Sequence, residues 1–166
     1  MRTTVVVGNP KPRSRTLEAA VNVAAELTGS PPETVVDVVD LGAGLLGWKD
    51  PDVRRAVEAA CAADVLVVAS PTFKAAYTGL LKLFLDQFPP GGLAATTAFP
   101  LMLGAGPHHA LAPELLLRPV LVELGATCPA RGLYLLDSDY RSPEALGPWL
   151  ESARAHLPAR PEAVTP

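Results

Sequence analysis

Cysteine is scarce: only Cys61 and Cys128 occur in 166 residues. Two thiols 67 positions apart build neither a disulfide framework nor a zinc knuckle, and Cys61, on an apolar helical stripe, reads as an inert core thiol. Long hydrophobic runs are missing as well. No stretch approaches the roughly 18 uncharged apolar residues that span a bilayer, and the run at Val5, Val6 and Val7 is too short for a secretion signal. The expectation is a soluble, cytoplasmic chain. Basic charge is not in surplus either: 14 Lys and Arg against 17 Asp and Glu leave a net charge of -3, which argues against nucleic acid. Common catalytic signatures are absent. The chain has no G-x-S-x-G elbow, no H-E-x-x-H and no G-x-x-x-x-G-K-[ST].

What is present suffices for one domain. Apolar residues make up 49% and charged residues 19% of the chain, as in an ordinary globular protein. The domain is expected over 1–157, with a frayed tail over 158–166. Eighteen prolines punctuate the fold. The charge is unevenly placed: Arg2, Lys11, Arg13 and Arg15 precede the first acid, Glu18, so residues 1–17 carry +4 and the remainder -7.

Five short β-branched or apolar runs, at 3–7, 35–39, 65–69, 98–103 and 132–136, alternate with helix-length intervals. Three of them, TTVVV, VLVVA and AFPLML, scarcely alternate, as expected of strands covered on both faces. Leu17, Ala20, Val21, Ala24 and Leu27 form one helical stripe; Val53, Ala56, Val57, Ala60 and Cys61 form another, started by Asp50 as cap and Pro51 in the first turn. Alternating strands and helices imply an α/β, three-layer sandwich with a five-stranded parallel sheet, order 2-1-3-4-5. The segments 77–88 and 110–124 are apolar on more than one side. Both are expected to cover the sheet with one face and a second subunit with the other, Pro113 and Pro119 bending the second.

Ligands of such sheets bind at the carboxyl ends of the strands, near the switch point. The loop after strand one, GNPKPRSRT at 8–16, opens a helix and combines free N–H groups, the Ser14 and Thr16 hydroxyls and the Arg15 fork, a set suited to a phosphate. Ser14 serves equally as an ordinary helix cap. The loop after strand three, SPTFKAAYTG at 70–79, offers Phe73 to cover an aromatic ligand and backbone amides from Thr72 to Ala75 to meet ring carbonyls or nitrogens. Lys74 has no evident task. After strand four, Gly104 and Gly106 allow close backbone approach to a flat ligand. His108 and His109 point about 100° apart on a helix, so no shared metal is expected. The G-x-G-x-x-G match at 42–47 is a decoy, because Trp48 and Lys49 separate it from the next helix and it follows strand two.

These loops, together with SPTFKAAYTGLLK at 70–82 and LMLGAGPHHALAPELLLRPVL at 101–121, resemble the NADPH-dependent FMN reductases of the flavodoxin-like superfold, in particular the two-component branch serving sulfonate monooxygenases. The resemblance implies that Ser14, Arg15 and Thr16 hold the FMN phosphate with Asn9 and Lys11 nearby. It implies that Pro71, Thr72, Phe73, Lys74 and Ala75 line the isoalloxazine, and that Gly104, Ala105 and Gly106 approach it. It further implies NADPH or NADH as donor, a homodimer or homotetramer through 77–88 and 108–124, and reduced flavin passed to an acceptor or a flavin-dependent monooxygenase. No catalytic side chain and no metal are expected, since flavin and nicotinamide carry the chemistry. Three positions depart from the family pattern: Asn9 for serine, Ala105 for the second glycine, and Leu115 where the branch often has tyrosine. His109 matches a family histidine without an assigned role. A quinone or azo reductase with retained FMN, a non-catalytic electron carrier and a cofactor-less interaction protein remain as alternatives.

Overall fold

The computed structural model describes residues 1–159. Of the tail expected over 158–166, all but Pro158 and Ala159 lies outside the described residues. Five strands, β1 (Thr3–Val7), β2 (Thr34–Asp37), β3 (Val65–Pro71), β4 (Thr97–Gly104) and β5 (Leu133–Leu136), form one sheet in the order β2-β1-β3-β4-β5. Every pairing is parallel. The helices are α1 (Arg15–Thr28), α2 (Pro51–Cys61), α3 (Gly79–Leu85), α4 (Arg118–Glu123) and α5 (Pro143–Arg154).

The sheet is covered on both faces because its side chains alternate. Val6, Leu66, Val68, Ala98 and Met102 face α2, α3 and α4, whereas Val5, Val7, Val67, Phe99, Leu101 and Leu103 face α1 and α5. Sealing of both faces explains the unalternating strand sequences. At the amino end of the sheet, Arg2 lies 4.0 Å from Asp64. Of the four early cations, therefore, Arg2 is not part of the first strand-end loop, and three remain near it.

The helix starts follow their caps. The Ser14 hydroxyl accepts from Leu17 N, and the Asp50 carboxylate accepts from Asp52 N at 2.9 Å and Val53 N at 3.1 Å with Pro51 in the first turn. Leu17 and Val21 are only half-buried, lining a groove of about 690 Å³ along α1, while Ala19 and Val23 join the core in their place. The sequence reading also passed over α5. Its start is written in Ser142-Pro143-Glu144, an N-cap followed by proline and an acid.

Several boundaries differ from expectation. β2 ends at Asp37 rather than 39, because the chain tightens into 3-10 turns over Val38–Leu46. These turns contain most of the G-x-G-x-x-G match, which opens no helix. The helix expected over 77–88 is reduced to Gly79–Leu85, because Thr78 caps it and the preceding residues form a tight turn. Both of its stripes enter this chain's own core through Leu81, Phe84, Leu85 and Phe88, leaving Leu83 exposed.

The segment expected as one helix over 108–124 is broken into a 3-10 turn (Pro107–His109), a π turn (Pro113–Leu117) and α4. The π turn precedes Pro119, which has no N–H to return to the preceding turn; Arg118 N donates to Pro113 O, five residues back. Glu114 holds this turn against β5. Its Oε2 accepts from Gly132 N at 2.7 Å and its Oε1 pairs with Arg118, which also donates to Cys128 O at 2.8 Å. Burial pushes the Glu114 pKa up, but the Gly132 amide and Arg118 outweigh it and leave it lowered.

Candidate flavin site at the strand ends

The first two predicted loops are tied to each other by buried hydrogen bonds. Gly8 N donates to Ala69 O at 2.9 Å, the Thr78 hydroxyl donates to Gly8 O at 2.6 Å, and Thr78 N donates to Ser70 Oγ at 3.0 Å. Ser70 is fully buried and Thr78 nearly so. The third loop is joined by Thr72 N to Leu103 O (2.6 Å) and by the Tyr134 hydroxyl to Gly106 O (2.7 Å). Asp137, after β5, donates its amide to Gly104 O at 2.9 Å. The carboxyl ends of β1, β3, β4 and β5 thus form one continuous rim across the β1/β3 switch point.

In the first loop the structure divides the candidate residues by task. Asn9 is a brace: its Nδ2 donates to Thr16 Oγ1 at 3.0 Å and its Oδ1 accepts from Lys11 N at 2.9 Å. Arg13 adopts a left-handed backbone (φ 49°), held by its amide on Asp37 Oδ2 at 3.3 Å. Burial raises the Asp37 pKa, with the Arg13 amide opposing it. The Ser14 and Thr16 hydroxyls accept from Leu17 N and Asn9, so each retains its own O–H for an anion. The amides of Arg15 and Thr16 stand in the first helical turn, where a helix supplies no acceptor. Arg15 is exposed on the rim and pairs with Asp137, Nη2 to Oδ2 at 3.8 Å.

The second loop is strained. Phe73 N donates to Ala76 O at 2.8 Å and Ala76 N to Phe73 O at 3.1 Å, closing a two-residue turn whose central residues, Lys74 (φ 51°) and Ala75 (φ 68°), are both left-handed. Neither is glycine, so each costs about 1–2 kcal/mol, and such strain collects at binding sites. The turn sets the Lys74 and Ala75 amides at an exposed tip beside Phe73, itself 52% exposed. Pro71 ends β3. Thr72 Oγ1 is buried without a hydrogen-bond partner among the described residues.

In the third loop Gly104 is buried where a Cβ would fall on the Tyr134 hydroxyl and 3.3 Å from Thr72 Oγ1. Ala105 is exposed and Gly106 half-buried on the rim. The His108 and His109 rings are 6.4 Å apart, and no group of three His, Cys, Asp or Glu suited to a metal occurs among the described residues. Burial raises the Cys61 pKa and pushes that of Cys128 up to about 11, so neither thiol is poised as a nucleophile.

Every candidate binding residue therefore lies on the three strand-end loops. Sequence reasoning left out Ser70 and Thr78, which clamp two loops together, and Tyr134 and Asp137, which come from the fifth strand's end. The run Asp137-Ser138-Asp139 directly after a strand was a legible signal, since that end of every strand faces the same edge.

The rim also fits an FMN. Hydroxyl and amide donors of the first loop suit a phosphate, the orphaned Thr72 hydroxyl and the exposed turn amides suit a heteroaromatic edge, and Phe73 supplies an apolar face. Comparison with known proteins points the same way. Over 132 residues, 72% of this chain and 67% of the relative, it is 31% identical to an FMN reductase (NADPH) of Pseudomonas putida. It is likewise 31% identical over 134 residues to the NADH-dependent FMN reductase SfnF of Pseudomonas fluorescens, covering 76% of this chain and 72% of that one. Among solved structures, an apo NADH:FMN oxidoreductase (EMOB) superposes with a TM-score of 0.86 at 31% identity, over 96% of this chain and 91% of the other. The profile of the NADPH-dependent FMN reductases matches residues 1–141, and the chain belongs to that family.

Proposed function

We propose that the protein is an NAD(P)H-dependent FMN reductase whose flavin occupies the rim formed by the three loops. The observation that carries this reading is a set of donors at the strand ends with no acceptor among the described residues: Ser14 and Thr16 O–H, the Arg15 and Thr16 amides, and the Thr72 hydroxyl. A flavin held there would supply hydride acceptance from a nicotinamide and onward delivery of the electrons, chemistry that belongs to the cofactors themselves.

The chain's part is to hold and orient. Ser14, Arg15 and Thr16 take the phosphate, and Asn9 keeps Thr16 and the Lys11 amide in register. The strained turn at Lys74 and Ala75 fixes two N–H groups at the ring's edge, and Pro71, Thr72 and Phe73 form the wall beside them. Gly104 makes room for the Tyr134 hydroxyl beneath this wall, and Ala105 and Gly106 continue the rim beside it. Because the position of donors does the work, no side-chain acid or base is assigned.

The same reading includes a cytoplasmic location, where NAD(P)H and FMN are found, and delivery of reduced flavin to an acceptor or a partner monooxygenase. It also includes a homo-oligomer. Leu83, Leu111, Leu115, Leu116 and Val122 are 40–62% exposed on the segments expected to carry the subunit contact, and burying them is worth roughly 25 cal/mol per Å² of apolar surface. Sedimentation at micromolar concentration is expected to show a dimer or tetramer; a monomer overturns that part. Oxidation of NADPH or NADH, followed with and without added FMN, tests the activity: turnover that depends on FMN supports it, and none with either nucleotide refutes it.

A further inference from the structure

Arg15 does not wait free for a phosphate. Its Nη1 donates to the Asp137 carbonyl oxygen at 3.4 Å while its Nη2 faces Asp137 Oδ2 at 3.8 Å, so both ends of the guanidinium fork are turned to one residue. Asp137 is itself fixed in place, its amide donating to Gly104 O at the end of β4. The contact spans 122 positions of sequence and joins the start of α1 to the exit of β5.

The charges around this contact balance. The cleft of about 460 Å³ beside Arg15 is lined by three cations, Arg13, Arg15 and Arg141, and by three acids, Glu18, Asp137 and Asp139. Glu18 is already engaged, accepting from Arg141 Nε at 2.6 Å and from the Tyr140 hydroxyl at 3.0 Å. Hydrogen bonding to Arg141 lowers its pKa, keeping it ionised. Within this cleft the early cations Arg13 and Arg15 thus face Asp137 and Asp139 from the far end of the chain.

We propose that Asp137 competes with the flavin phosphate for Arg15 and thereby sets FMN affinity, keeping the flavin a ligand that is readily released. This rests on the FMN reading above. An arriving phosphate must draw the Arg15 fork away from Asp137 or share it, and in either case it meets a carboxylate next to the cation it uses. An exposed pair of this kind, with side chains 63% and 33% exposed, is weak alone. Its effect on a dianionic ligand is a penalty for binding, one that salt screens.

The test is equilibrium binding of FMN and of riboflavin, which has the same ring and no phosphate, to wild type, Asp137→Asn, Asp139→Asn, Arg15→Ala and the Arg15→Ala/Asp137→Asn double variant. Asn keeps the shape and the backbone bond to Gly104 while removing the charge. Asp137→Asn is expected to tighten FMN about three- to fivefold at low salt, the scale of an exposed ion pair. That gain should shrink as salt rises, riboflavin should stay within about twofold of wild type, Asp139→Asn should gain less, and the gain should be smaller in the Arg15→Ala background. Unchanged or weaker FMN binding overturns the proposal, because Asp137 would then be neutral or would orient Arg15 productively. An equal gain for riboflavin, for Asp139→Asn or in the Arg15→Ala background also overturns it, since the effect would not pass through the phosphate and Arg15. A wild-type protein that binds neither flavin defeats the FMN reading itself, a result distinct from any of these.

Discussion

Alanine at position 8 is expected to destabilise the protein by about 3 kcal/mol or more, the upper range for overpacking a closed core. The added Cβ would lie 2.8 Å from Leu81 Cα and on top of Leu81 Cβ. Leu81 cannot retreat: it is fully buried, and its amide is bonded to the Thr78 hydroxyl that in turn donates to Gly8 O. The loop after β1 and α3 are therefore packed backbone to backbone. For a domain of this size, about 3 kcal/mol corresponds to a fall in Tm of roughly 6–12 °C. A Gly8→Ala melting curve superposable on wild type would mean that the contact is looser than described.

Arg15→Ala is expected to weaken FMN by about 1.5–3 kcal/mol, the range for a hydrogen bond to a charged group, or roughly ten- to a hundredfold. Riboflavin affinity should hardly move, because the guanidinium is assigned to the phosphate alone. The stability of the apoprotein should change little, since the pair with Asp137 is exposed. Equal losses for both flavins, or no loss for either, would mean that the phosphate nest is misplaced.

Topology was legible in the sequence because each strand run is bounded by helix-length intervals and because burial on both faces removes alternation from TTVVV and VLVVA. The parallel order 2-1-3-4-5 and the meeting of three loops at one edge follow from handedness and connection rules that need no side-chain detail. The helix starts at Ser14 and Asp50 were legible for a similar reason, as caps act within three residues.

Less accessible were features that depend on distant partners. Nothing local announces that Lys74 and Ala75 adopt left-handed backbone; the Phe73 and Ala76 bonds impose it. The segment expected as one helix over 108–124 contains two prolines that predicted a bend, but the π turn also depends on Glu114 reaching Gly132, eighteen positions away. Asn9 departs from the family pattern, and the structure gives it a bracing role that its two hydrogen bonds define. Counting early cations singled out the loop after β1, which carries Lys11, Arg13 and Arg15. The count nevertheless included Arg2, which faces Asp64 at the other end of the sheet, and it did not foresee Asp137 against Arg15.

The central claim is that the strand-end rim is a flavin site, and equilibrium titration with FMN, followed by quenching of flavin fluorescence, tests it most directly. The account predicts saturable binding of one FMN per chain at or below the order of tens of micromolar, about 6–7 kcal/mol of binding free energy, with loss of affinity in Arg15→Ala. No saturable binding in that range would contradict it.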